Sequence, residues 1–169
     1  LRPEGTISVL HHTANIIQDK EIHRFYYLGP MFRKELGKTP SEFHQLGVEL
    51  LGSDSVISEN EVISLGIKIC QSLGLKDVYL HLNSFGCQLC RPVFIEDMKK
   101  YLKDHESEIC EGCFTRLYTN PFSDPSCKNE GCIQAISRGP QVMDYLCPKC
   151  RTNFARVKKI QANLAHQYK

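Results

Sequence analysis

Eight of the nine cysteines in this chain lie in its second half as four closely spaced pairs. The pairs are Cys87–Cys90, Cys110–Cys113, Cys127–Cys132 and Cys147–Cys150. Two thiolates separated by two to four residues lie on one turn of backbone and can bind the same tetrahedral metal ion, as in structural zinc sites. Because eight thiolates suffice for two four-sulfur sites, the spacing predicts a metal-binding module in residues 85–169.

The sequence leaves the pairing of the cysteines and the number of ions open. Our first expectation groups the outermost two pairs around one ion, because they bracket the module, and the middle two pairs around another. A single zinc ion, an iron–sulfur cluster and buried free thiols are the alternatives. No nearby base or open coordination position is evident, so the predicted metal is structural rather than catalytic.

Two predicted strands, 24–34 and 43–51, carry a second group of side chains suited to ligand binding. Side chains alternate between faces along a strand, so one shared face carries Arg33, Glu35, Phe43, Gln45 and Glu49. Burying the amide and carboxylates in a core without partners would cost free energy, so we interpret this face as the floor of a ligand site. A solvated sheet face with incidental ion pairs is the alternative. The opposite face is mostly apolar, and we expect His44 to lie inside the core there.

Hydrophobic spacing and turn residues predict the elements that position these groups. The elements predicted in the first half are a helix over 7–18, the two strands joined by a polar loop over 36–42, a helix from Ser58 to Gly74, and a short strand over 78–82. Those of the second half are a helix from Pro92 to about Glu108, a helix opened by Pro140, and a helix over 151–167. We therefore expect an α+β fold with a domain boundary after Ser84.

Composition narrows the possible functions. The 169 residues have a formal net charge of +2, so there is no strong basic signal for nucleic acid. No run of about 18 apolar residues occurs, which argues against a membrane span. The first residues lack the pattern of a secretory signal, so we expect a cytoplasmic protein with reduced thiols.

Several short segments resemble, in order and spacing, the histidyl-tRNA synthetases, a family of class II aminoacyl-tRNA synthetases. They are Leu1–Thr6, Gly29–Arg33, Phe43–Glu49, Leu82–Ser84, Leu117–Pro121 and Asp144–Leu146. The resemblance covers nearly the whole chain. It implies that residues 1–84 are part of the catalytic core, containing the hairpin of the second signature motif and part of its antiparallel sheet with flanking helices. Residues 85–169 would be a mostly helical insertion domain, here in a cysteine-rich variant.

The resemblance also implies how ATP would be bound. Arg33 would bind the α-phosphate and stabilise the charge that develops there as the adenylate forms. Glu35 would recognise the adenine amino group, and Phe43 would stack on the ring. Magnesium would bridge the phosphates. No side chain would act as a covalent nucleophile, because the carboxylate of the substrate attacks the phosphate, so catalysis would consist of positioning and charge stabilisation.

Histidine recognition is implied in the same way. Glu4, Thr6 and Gln45 would hold the α-ammonium group, and Glu49 would accept a proton from the imidazole and so select histidine. Transfer RNA for histidine would be the second substrate. The resemblance further implies a homodimer, as in full-length relatives. Because only part of an active site is recognisable, we expect weak or no aminoacylation by these 169 residues alone.

Two other functions remain open at this stage. One is a catalytically inactive paralogue that acts as a regulatory or binding subunit, as in the regulatory subunit of ATP phosphoribosyltransferase; the short, arginine-poor loop over 36–42 favours it. The other is a zinc-stabilised RNA-binding module, against which the balanced charge argues. The intact segments Glu4–Thr6 and Phe43–Glu49 favour the synthetase.

Overall fold

A two-stranded antiparallel hairpin organises the first half of the chain. Strand β1 spans His23–Arg33 and β2 spans Ser41–Leu51, with Gly29 opposite Gln45. The structure is a computed structural model that describes residues 1–14, 17, 21–34, 39, 41–123 and 127–164. The two predicted strands and their antiparallel pairing are therefore confirmed, and the mixed helix-and-strand content confirms the α+β class.

Two helices flank the hairpin. Helix α1 spans Thr6–Thr13 and α2 spans Val56–Ser72, and both contact β2. The predicted start of α2 at Ser58 is wrong by about one turn. Ser55 is the N-cap and its hydroxyl accepts a hydrogen bond from the Ile57 N–H, whereas the Ser58 hydroxyl donates to Ser53 Oγ at 2.8 Å. A serine hydroxyl can cap a helix when it lies two residues before an unpaired backbone N–H. Ser53, Ser55 and Ser58 could each take this position, and the sequence alone does not rank them.

Two further predictions for the first unit are wrong. Residues 78–82 form no strand in the described structure, and Leu80 makes only an isolated bridge, because a strand needs a neighbour to satisfy its backbone groups. His44 is exposed rather than interior, and Leu46 beside it is 47% exposed. The reason is that helix α2 covers only the far end of that face, near Val48 and Leu50.

Four helices build the described part of the second half of the chain. They are α3, Cys90–Asp104; α4, Glu111–Thr119; α5, Glu130–Ser137; and α6, Pro148–Asn163, with short 3-10 turns at Glu106–Glu108 and Val142–Tyr145. The helix predicted to open at Pro140 is only the second of these turns. Pro148 prevents its extension, because the residue before a proline avoids the helical region, and Cys147 accordingly has an extended backbone.

The chain divides by its contacts into two units, Leu1–Val78 and Tyr79–Lys169. The assignment of residues 1–84 to a catalytic core and 85–169 to an insertion domain remains a prediction. No helix within the described residues is long and apolar enough to cross a membrane.

The core of the second unit forms where α3, α4 and α5 meet. Its buried apolar residues are Phe94, Met98, Leu102, Ile109, Cys113, Leu117, Cys132 and Ala135. The hydroxyl of Tyr101 donates to the Ala135 carbonyl oxygen at 2.7 Å, which ties α3 to α5. Two of the eight buried residues are cysteines from the predicted metal-binding pairs, so the apolar core and the thiols are continuous.

Replacing Leu102 with alanine tests how far the second unit depends on this core. Leu102 is 0% exposed, and we expect Leu102→Ala to lower the free energy of unfolding by about 2–5 kcal/mol because it leaves a cavity. Urea unfolding followed by circular dichroism measures the loss. The control Leu164→Ala removes the same atoms from a half-exposed side chain and should cost roughly 0.5 kcal/mol or less. Equal costs for the two variants would contradict the assignment of Leu102 to the core.

Candidate functional site

The N-terminal segment Arg2–Ile7 lies across the polar face of the hairpin. The backbone N–H of Phe32 donates to the Arg2 carbonyl oxygen at 2.8 Å, and Arg33 Nε donates to the Pro3 carbonyl oxygen at 2.8 Å. We call this segment the strap. Its two backbone carbonyls therefore fix its position along the end of β1.

Side chains of β2 hold the other end of the strap. The Gly5 N–H donates to Gln45 Oε1 at 2.9 Å, and the Thr6 hydroxyl donates to Glu49 Oε1 at 2.7 Å. These contacts join residues 40 and 43 positions apart in sequence. They place Thr6 on the face that carries Gln45 and Glu49, as ligand binding by all three would require.

Glu4 adds a negative charge at the start of α1. One carboxylate oxygen accepts from the Thr6 N–H at 2.8 Å, and the other accepts from the Ile7 N–H at 2.7 Å. The Ile7 N–H is the chief reason that the pKa of Glu4 is lowered from its usual range. Glu4 thus caps the helix, because the N-cap residue Gly5 has no side chain to do so. Each carboxylate oxygen keeps a second lone pair for a cationic ligand.

The aromatic ring of Tyr27 is a part of this site that sequence reasoning missed. A Cβ atom built on Gly47 would lie 2.1 Å from its Cζ atom, and one built on Gly5 would lie 2.1 Å from its Cε2 atom. The ring therefore occupies the space above Gly47. Its hydroxyl lies 3.5 Å from Thr6 Oγ1. The signal was present, because Tyr27 shares the polar face and pairs with Gly47 across the hairpin.

Arg33 and Phe43 lie at the other end of the face. The guanidinium carbon of Arg33 is 4.7 Å from the centroid of the Phe43 ring, a cation–π contact. Arg33 is exposed and Phe43 is half-buried, so the guanidinium remains open to an anion. Glu35, which we predicted to recognise adenine, lies outside the described residues.

The strap and hairpin thus bring together six of the seven side chains predicted to bind histidine and ATP. They are Glu4, Thr6, Arg33, Phe43, Gln45 and Glu49. Five of them either contact the strap or belong to it, and Phe43 contacts Arg33. The arrangement offers two carboxylates, an amide and a hydroxyl at one end, and an arginine beside an aromatic ring at the other. Their roles toward ligands remain predictions.

The second unit brings its eight paired cysteines into two clusters. In the first cluster, Cys87 Sγ lies 3.6 Å from Cys90 Sγ and 4.0 Å from Cys147 Sγ, and Cys150 completes the group. All four sulfur atoms lie within 4.8 Å of one another. This is the grouping that we expected first, with the outermost two pairs together.

The second cluster comprises the middle two pairs. Cys110 Sγ lies 3.8 Å from Cys127 Sγ and 3.7 Å from Cys132 Sγ, with Cys113 as the fourth member. Cys113 and Cys132 are buried, whereas Cys110 is exposed. Cys70, the remaining cysteine, belongs to neither cluster and lies half-buried in α2.

The local environment favours the thiolate form of some of these cysteines and disfavours that of others. The Leu89 N–H is the chief group that lowers the pKa of Cys87, to about 6. The Cys113 N–H similarly lowers the pKa of Cys110 to about 7. Burial raises the pKa of Cys150 to about 12 and also raises that of Cys113. A divalent cation at the centre of a cluster would favour ionisation of all four thiols, since it supplies the missing positive charge.

Comparison with known proteins gives a single result. Residues 1–94 match the family model described as histidyl-tRNA synthetase. A histidine–tRNA ligase from Halothermothrix orenii is 41% identical over all of this chain and 41% of its own length. Those from Syntrophomonas wolfei and Caldicellulosiruptor bescii are 39% and 37% identical, over 96% and 100% of this chain. The chain spans about two fifths of the length of these curated relatives.

Substituting Gly47 tests the packing of Tyr27 against the hairpin. Because a Cβ atom there would overlap the ring, we expect Gly47→Ala to destabilise the first unit by about 1–3 kcal/mol. The control is Gly66→Ala in α2, where an added Cβ meets nothing within 4 Å and should stabilise the helix by about 0.5–1 kcal/mol. Thermal unfolding compares the two variants. A neutral Gly47→Ala would show that the ring does not occupy this position.

Proposed function

We propose, from the premise that this chain belongs to the histidyl-tRNA synthetase family, that its first unit forms part of a site that activates histidine with ATP. The observation that carries the proposal is the attachment of the strap to the polar face of β2 through Gln45 and Glu49. Without that attachment, the strap would be held to β1 at Arg2 and Pro3, but Gly5 and Thr6 would lose their hydrogen bonds to β2. With it, groups of complementary chemistry surround one position.

Histidine suits the end of the face where the carboxylates lie. Its α-ammonium group needs acceptors, which Glu4, Thr6 and Gln45 provide. Its imidazole N–H needs one more acceptor, which Glu49 provides. The Thr6 hydroxyl donates to one oxygen of Glu49, so it orients the carboxylate and leaves the other oxygen for the ring.

ATP suits the end of the face where Arg33 and Phe43 lie. The guanidinium binds the α-phosphate, and the aromatic ring stacks on adenine with Glu35 at its amino group. The carboxylate of histidine attacks the α-phosphorus, pyrophosphate leaves, and Arg33 stabilises the negative charge that accumulates on the phosphate oxygens. Magnesium bound to ATP as part of the substrate would offset the charge of the phosphates, and no residue of this chain is assigned to it.

The activity of the whole protein follows from the same proposal. It would transfer the activated histidine to transfer RNA for histidine, as a homodimer in the cytoplasm. The second unit would be the insertion domain of the synthetase. Its cysteine clusters take no step in the reaction, and a metal bound there is structural. A catalytically inactive regulatory paralogue or an RNA-binding module would show no histidine-dependent exchange of pyrophosphate into ATP.

The substitution Glu49→Gln in the full-length protein tests histidine recognition. It keeps the shape of the side chain and its acceptor for Thr6 but removes the charge. We expect the KM for histidine in pyrophosphate exchange to rise roughly 10- to 100-fold, because a hydrogen bond to a charged group contributes about 1.5–3 kcal/mol. The matched control is Glu42→Gln, an exposed glutamate on the other face of β2, which should leave the KM unchanged. An unchanged KM for Glu49→Gln would refute its role.

The substitution Arg33→Lys tests charge stabilisation at the phosphate. Lysine keeps the positive charge but loses the planar fork and the hydrogen bond from Nε to the Pro3 carbonyl. We expect kcat for pyrophosphate exchange to fall about 100-fold or more while the KM for histidine changes little. Arg24→Lys on the same strand is the control, since Arg24 pairs with Glu61 away from the strap. If both variants kept the full kcat, Arg33 would have no part in the reaction.

A further inference from the structure

We propose that the two thiolate clusters are two separate zinc sites, each binding one Zn²⁺ through four cysteine sulfurs. We further assign the first ion the task of fastening the segment before α3 to the start of α6. The inference depends on the second unit alone. It therefore stands or fails separately from the histidine and ATP site.

The spacing of the sulfur atoms matches a single ion in each cluster. Four sulfurs placed tetrahedrally at the usual Zn–S distance of about 2.3 Å lie about 3.8 Å from one another. The neighbouring sulfurs of the two clusters are 3.6 to 4.0 Å apart. These distances are far too long for a disulfide bond of about 2.05 Å. They are also unlike a four-iron cluster, which binds each thiolate through a different iron atom and so spreads the sulfurs apart.

Each cluster lies where two helices begin. In the first, Cys90 opens α3 and Cys147 is the N-cap of α6. In the second, Cys110 is the N-cap of α4 and Cys132 lies in the first turn of α5. A zinc ion with four thiolates carries a net charge of about −2, and the partial positive charge at a helix N-terminus stabilises such an anion.

Backbone amides also hold the sulfurs. The Cys147 N–H donates to Cys90 Sγ at 3.1 Å, which joins the two pairs of the first cluster. The Cys110 N–H donates to Cys132 Sγ at 3.5 Å, which does the same in the second. These hydrogen bonds hold the sulfurs of each cluster near one another through the backbone.

Both sites are closed. Each group consists of four cysteine sulfurs, with no imidazole or carboxylate ligand among the described residues. Cys90 and Cys132 are 3% and 1% exposed, so one side of each ion would face the protein interior. A catalytic zinc keeps a position for water or substrate, and a four-sulfur site does not. The ions are therefore structural.

The first site has the larger structural task. It joins Cys87 to Cys147, which are 60 residues apart. The segment before Cys87 is fitted tightly: Gly86 has φ +65°, and a Cβ there would lie 2.7 Å from Cys90 Cβ. Arg91 Nε donates to the Gly86 carbonyl oxygen at 3.2 Å. Closing so long a loop removes much of the freedom of the unfolded chain, and small apolar cores gain most from such a link.

Metal analysis of the purified 169-residue chain tests the stoichiometry. Under reducing conditions, elemental analysis should find two zinc ions and no iron per chain. Cys147→Ser and Cys132→Ser should each retain one ion, and Cys70→Ser, the control outside both clusters, should retain two. Cys147→His keeps a zinc ligand and should restore the second ion even if the serine variant folds poorly. One ion or none in the unaltered chain, or iron in place of zinc, would overturn the proposal, as would loss of both ions from every cluster variant.

Hydrogen–deuterium exchange tests the separate tasks of the two ions. Cys147→Ser should speed exchange in residues 84–91 and 147–151 at least tenfold while residues 110–118 keep their protection. Cys132→Ser should do the reverse. The same pattern of exchange in both variants would show that the clusters act as one unit, and would contradict the assignment of the fastening role to the first ion.

Discussion

The polar face of β2 carries Gln45 and Glu49, which are half-buried, and covering such side chains costs free energy unless they gain hydrogen-bond partners. The strap supplies the partners. Its Gly5 N–H and Thr6 hydroxyl meet these two side chains, and no buried side-chain nitrogen or oxygen in the described residues is left without a partner. The same contacts position Glu4 and Arg33, so the site depends on satisfying the face of one strand.

The strap also explains why a large aromatic residue lies in a polar site. Gly5 and Gly47 leave a gap that Tyr27 fills. The ring keeps strap and strand at a fixed separation while its hydroxyl lies near Thr6. Two glycines and one tyrosine therefore set the distance across which the polar side chains reach each other. Glycine serves here to accommodate a neighbouring side chain rather than a ligand.

The second unit must also compensate polar groups that it buries, and here these groups are thiols. Its apolar core is small, and Cys113 and Cys132 are part of it. Buried thiols have raised pKa values because their charged form is poorly solvated. A central cation reverses that preference, so thiols that weaken a small core when ionised alone become the groups that hold it together. The first unit gathers polar and charged side chains on one strand face, and the second provides helices that begin at potential metal ligands.

Local sequence patterns predicted much of the structure of this chain. Alternation identified the polar face of the hairpin, cysteine spacing identified the ligand pairs, and short segments in order identified the family. The predicted boundaries of helices and strands were less accurate. The start of α2 was wrong because several serines could cap the helix. The strand expected over 78–82 was wrong because a local pattern does not show whether a neighbouring strand is present. His44 was placed on the correct face but in the wrong environment, since alternation defines faces and does not say which face is covered.

By itself, the order of residues determined which side chains share a strand face, which cysteines form pairs, and which family the chain resembles. These properties depend on residues only a few positions apart. For such near neighbours, local backbone geometry decides which way their side chains point. Only the tertiary structure decided that the strap crosses the hairpin, that Tyr27 fills the gap above Gly47, and that the outermost cysteine pairs meet. Those contacts join residues some 20 to 60 positions apart, and such pairings are set by the packing of whole elements rather than by any local pattern.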